Sequence, residues 1–112
     1  MMVGSAKRSA SGILVRKTQF DYPEDLDPHW NKSKPEFSQV GNATSLILPY
    51  LEPYLIDVMR EARSLVKNPL VADEVEGFMG QEANHFKQHR KLNEILVKNG
   101  YECVRELERQ VE

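Results

Sequence analysis

The chain has 112 residues, 40% of them hydrophobic, and balances 15 Lys and Arg against 17 Asp and Glu for a formal charge of −2. That suffices for one modest core and is too short for two independent domains, and it lacks the positive excess with which a nucleic-acid binder neutralises phosphates. No apolar run approaches the ~20 residues that cross a bilayer; the longest, around Leu46 to Leu51, is cut by Pro49 and Pro53.

Residues 1–12 are small, polar and basic and read as a disordered tail, because they bury too little apolar surface to offset the entropy of ordering them. Without an apolar stretch they do not form a secretory signal. Residues 13–112 are expected to form one helical domain. Its opening segment, 19–37, carries Phe20, Tyr22, Trp30 and Phe37 among Pro and Asp with neither a helical nor a strand period, and reads as irregular chain pinned to a surface by its rings. A first helix is expected at about 44–66, kinked or divided in its opening turns by Pro49 and Pro53. A second is expected over 69–98, with Asn68 as N-cap, Pro69 at the first helical position and Gly100 as the C-terminal stop. A third amphipathic stretch over 101–112 carries no terminator and contains Cys103, the single cysteine, read as a structural thiol. One cysteine excludes an intrachain disulfide and a Cys-rich zinc site, and a reducing, cytoplasmic compartment is expected.

Along the second helix, Val71, Val75, Phe78, Glu82, His85, His89, Leu92 and Leu96 follow a 4, 3 spacing, the seam on which a helix packs against a partner. Its three polar members are consecutive and central. The first helix repeats the spacing with Leu48, Glu52, Leu55, Met59, Ala62 and Val66, again with one carboxylate among apolar neighbours. An unpaired buried carboxylate costs several kcal/mol, and a divalent metal is an economical partner for two of them. In an antiparallel hairpin turning near Lys67, Glu52 and Glu82 both lie about 22 Å from the turn, hence at one level. Glu82 and His85 are three positions apart and face one side of their helix. Metal-free alternatives stand beside this reading: Glu82 paired with His85 or Arg90, and Glu52 placed near a helix start for the dipole. His89 is read as a pocket group beside the ligands, and His29 is left outside the site.

The run Phe20-Asp21-Tyr22-Pro23-Glu24-Asp25-Leu26-Asp27-Pro28-His29-Trp30-Asn31, then Asn42-Ala43-Thr44-Ser45-Leu46, Leu48-Pro49-Tyr50-Leu51-Glu52-Pro53-Tyr54, and Gly77-Phe78-Met79-Gly80-Gln81-Glu82-Ala83-Asn84-His85 with His89 and Asn93, resembles the bacterial family named predicted metal-dependent hydrolases. The resemblance runs from about Ile13 to Glu112. It implies an all-α, ferritin-like helical bundle, here a long antiparallel hairpin plus the start of a third helix, in which Glu52, Glu82 and His85 are metal ligands. Members of the family continue into further helices that bring another Glu and another Glu-x-x-His, and nothing after Gly100 supplies either. The chain is therefore expected to be the N-terminal portion of a longer protein, the alternative being a homodimer that completes the site by symmetry.

The functional expectation is a metal-dependent hydrolase with a carboxylate/histidine dimetal site acting on a small-molecule substrate. A di-iron, oxygen-activating oxidase or oxygenase is the rival chemistry, and a non-catalytic metal-binding or assembly module the third reading. The expected cofactor is a pair of divalent metals, iron first and manganese or zinc after it; no nucleic-acid or membrane partner is expected.

Overall fold

The computed structural model describes residues 2–3, 7–8 and 12–110, so most of the tail expected over 1–12 lies outside the described residues. Four two-residue strands come first: β1 (Met2–Val3), β2 (Lys7–Arg8), β3 (Leu14–Val15) and β4 (Thr18–Gln19). β1 pairs antiparallel with β4, and β2 with β3. Three helices follow, α1 (Pro35–Leu65), α2 (Pro69–Lys98) and α3 (Cys103–Glu108). The architecture is thus mainly helical, with α1 and α2 as two long packed rods.

α2 has the expected bounds, and for the expected reason: the Asn68 side chain accepts from Leu70 N at 2.9 Å, satisfying one of the free donors of the first turn. Gly100 closes the other end with φ +122°, a conformation that a side chain resists. α1 departs from expectation. It begins at Pro35 rather than near Thr44 and runs unbroken through Pro49 and Pro53. Its fully buried residues are Ser38, Asn42, Ser45, Pro49 and Glu52, a 4, 3, 4, 3 series that carries no apolar signal, because the inner face is built from small polar groups that bond to α2 and to the aromatic segment. Packing against α2 holds the helix where its two prolines each delete a backbone donor. The opposite face of α1 is apolar and open, with Val40, Ile47, Leu51, Tyr54, Val58 and Leu65 all exposed. α3 is shorter than the stretch expected over 101–112, of which positions 111–112 lie outside the described residues.

The hairpin turns at Val66 to Asn68 and is braced by Arg63 Nε on Glu76 Oε1 at 3.0 Å. The aromatic segment 20–34 lies over one end of it. Trp30 Nε1 donates to Asn42 Oδ1 at 3.0 Å, its ring meets Phe37 edge-on at 5.8 Å, and Asn99 Nδ2 donates to the carbonyls of Glu24 and Leu26 at 2.8 and 3.1 Å. Among the described residues, no helix is long and apolar enough to cross a membrane.

The β3–β4 segment forms a strap across α2. Ile13 and Val15 seat on the two glycines of that helix: a Cβ at Gly77 would fall 2.8 Å from Ile13 Cγ2, so that something must shift, and one at Gly80 3.0 Å from Val15 Cγ2, so that the valine must give way by a few tenths of an ångström. Two glutamines on the same side of the helix act as rungs. Gln81 Nε2 donates to Leu14 O at 3.1 Å, while Gln88 donates through Nε2 to Thr18 O at 3.0 Å and accepts Phe20 N–H at 3.2 Å.

Candidate metal centre

Glu52 projects from α1 into the hairpin with 1% of its side chain exposed, and neither carboxylate oxygen has a hydrogen bond among the described residues. From α2, His85 Nδ1 stands 2.8 Å from Glu52 Oε1 and 3.8 Å from Glu82 Oε2. The shorter contact lacks the alignment of a hydrogen bond, so it offsets part of the burial cost by charge alone and leaves both Glu52 oxygens unsatisfied. Burial raises the Glu52 pKa; His85 opposes the shift and Glu82 adds to it. One turn further, His89 Nε2 lies 2.8 Å from His85 Nε2, the rings 4.5 Å apart. A ligating atom from each of Glu52, His85 and His89 falls within 4.8 Å of the others.

Hydrogen bonds behind His89 settle which of its nitrogens faces the cluster with a lone pair. Asn93 Nδ2 donates to Ser45 O at 2.9 Å, which orients that amide and turns its Oδ1 to the Ser45 hydroxyl at 2.7 Å. The hydroxyl has one proton and gives it to Asn93 Oδ1, an atom that can only accept. Ser45 Oγ must then accept from His89 Nδ1, 2.8 Å away, so the ring proton sits on Nδ1 and Nε2 is bare. Burial, and the neighbouring His85, lower the His89 pKa and keep it neutral. A neutral imidazole with its far N–H anchored is how metal-binding histidines are held.

The residues fit a divalent cation on two observations: a buried carboxylate whose oxygens have no hydrogen bond among the described residues, and ligating nitrogens of His85 and His89 within 4.8 Å of it and of each other. The expected level of Glu52 and Glu82 is met, since both reach the His85 ring. Arg90 does not pair with Glu82; it stacks over Phe86 at 5.7 Å. His85 is a correction to the seam argument. It was expected in the dry middle of the core and is 52% exposed, opening on a cavity of about 350 Å³ beneath the strap. His29 lies apart, exposed beside Asp27 at 3.6 Å. Sequence reasoning set His89 beside the ligands and missed Ser45 and Asn93; the signal was the 4, 3 run of small polar residues in α1, which an apolar search passes over.

No curated protein and no solved structure gives a significant match to the chain. A family model does, over residues 14–112, and the chain belongs to the family it describes, predicted metal-dependent hydrolase.

Proposed function

We propose that Glu52, Glu82, His85 and His89 bind divalent metal in a hydrolase that acts on a small-molecule substrate. The observation that carries this is the Glu52 carboxylate, sealed in the hairpin without a hydrogen bond and facing two imidazoles. When bound, a divalent ion would polarise a scissile carbonyl or phosphoryl group and acidify water near neutral pH. Glu52 supplies the buried negative charge. His89 is locked as the Nδ1–H tautomer by Ser45 and Asn93, while half-exposed His85 joins the buried carboxylate to the cavity under the strap. The second carboxylate, Glu82, supports a two-ion reading, and a hairpin with Glu-x-x-His on one rod and a level carboxylate on the other is the half of a ferritin-like bundle on which that reading rests.

Elemental analysis of the purified chain, followed by calorimetric titration with Zn(II), Mn(II) and anaerobic Fe(II), is expected to give one or two ions per chain, and Glu82→Ala is expected to lower that number. Unchanged stoichiometry in both Glu52→Ala and Glu82→Ala would reject the assignment. The same carboxylate and imidazole donors suit iron, so oxygen is then admitted to the Fe(II)-loaded protein: a transient absorbing species marks oxidase chemistry, whereas turnover with Zn(II) marks hydrolysis.

A further inference from the structure

The geometry points to the strap as the substrate-recognising wall of this site, with Arg16 as the receptor for a carboxylate or phosphate group on a small molecule that also carries an apolar body. Extended chain sends alternate side chains to opposite faces. Ile13 and Val15 are spent on Gly77 and Gly80, so the even positions, Leu14, Arg16, Thr18 and Phe20, line the cavity instead. Facing them across about 350 Å³ is the side of α2 that holds His85, a volume within the ordinary range for small-ligand pockets.

The chemistry of the lining selects the ligand. The carboxamides of Gln81 and Gln88 are already engaged by the strap backbone. Asn84 uses its Nδ2 on Gly80 O at 3.3 Å, and Lys91, the nearby lysine, gives its ammonium to Phe20 O at 2.8 Å. What stays free to meet a guest is the Arg16 guanidinium, which has no ion pair among the described residues, with the Thr18 hydroxyl beside it and Leu14 and Phe20 at the two ends of the strap. A guanidinium presents paired N–H donors that match the two oxygens of a carboxylate or phosphate. The anion is thereby held at Arg16, and the rest of the molecule lies along the apolar wall toward His85. This rests on the reading of Glu52 and His85 as a metal site only for the direction in which the reacting end points; recognition of the anion by Arg16 stands without it.

The test uses the full chain, labelled with 15N and free of metal, so that no carboxylate-to-metal contact contributes. Benzoate, phenyl phosphate and neutral benzamide are titrated against wild type, Arg16→Gln and Arg16→Lys, following amide shifts. At least one of the two anions should bind tenfold or more tightly than benzamide, with the shifts confined to residues 14–20 and 81–88. Arg16→Gln should abolish that preference, and Arg16→Lys should retain a part of it. The tighter of the two anions identifies the natural group as carboxylate or phosphate. Equal binding of benzamide, full anion binding by Arg16→Gln, shifts that lie elsewhere, or no binding of either anion would each overturn the inference. Metal uptake is measured on the same samples: its absence with intact anion binding sinks the metal reading alone, and its presence without anion binding sinks this one alone.

Discussion

Replacing Glu52 by Met should make the metal-free protein more stable while destroying its response to metal. Met keeps the length of the side chain and removes a carboxylate that is 1% exposed and has no hydrogen bond on either oxygen. The one compensating contact in reach, His85 Nδ1 at 2.8 Å, belongs to a half-exposed ring whose charge is screened by solvent, and Glu82 acts against it. Exchanging poorly compensated buried charges for apolar side chains of similar shape stabilises by about 1–4 kcal/mol. For a chain of this size each kcal/mol moves Tm by roughly 4–8 °C, so metal-free Glu52→Met should melt at least about 4 °C above metal-free wild type. Wild type in turn should gain ~2.7 kcal/mol from metal at a hundredfold excess over Kd, and the variant nothing. Thermal unfolding followed by circular dichroism, with chelator and then with Zn(II) or Mn(II), gives all four values. A metal-free variant that melts below wild type, or equal gains from metal in the two proteins, would refute the reasoning that Glu52 is an orphan awaiting a cation.

The same carboxylate sets a pH dependence. Its folded pKa is raised by burial above the ordinary ~4.3, so the native state holds the proton more tightly than the unfolded chain and metal-free stability falls as pH climbs from that value through the raised one; urea unfolding across pH 4–7 should show this decline in wild type and lose it in Glu52→Met. Ser45→Ala leaves Asn93 Oδ1 and His89 Nδ1–H without their shared partner, costing about 1–3 kcal/mol and ~10–100-fold in metal affinity. The 15N shifts of the His89 ring should lose their fixed Nδ1–H signature, and unchanged affinity with an unchanged tautomer would contradict the chain of bonds described. Gly80→Ala places a methyl 3.0 Å from Val15 Cγ2, an overpacking of about 1–3 kcal/mol that should lift the strap and speed proteolysis between residues 12 and 19; protection equal to wild type would show that the strap tolerates the methyl.

How far the sequence disclosed this arrangement depended on which physical signal each part uses. α2 was legible to the residue because its ends are written in capping chemistry, Asn68 and Pro69 at one and Gly100 at the other. The level match of Glu52 with Glu82 followed from equal distances to the turn. α1 hid its first turns, since Ser38, Asn42 and Ser45 bury hydroxyls and an amide where a core search expects Leu or Val. The exposed Val40, Ile47 and Leu51 lie on the far side, while the half-buried seam of Leu48, Leu55 and Met59 shares only Glu52 with the buried polar series, so apolar periodicity found the carboxylate and passed over the polar face it belongs to. His89 could not be separated from a pocket histidine by spacing alone; what separates it is a tautomer, and tautomers are fixed by partners 44 positions away in the chain. The cavity left no trace, because Gly77 and Gly80 disclose a strap only once something is seen crossing them.

The candidate ligands straddle the hairpin, one rod giving Glu52 and the other Glu82, His85 and His89. A cation there would act as a rivet between segments that meet only when the polypeptide has closed on itself, so occupancy and closure are two readings of a single equilibrium. Whatever strips the ion should loosen the two rods against each other while the strap stays seated on its own helix, and whatever supplies it should draw the pair tight.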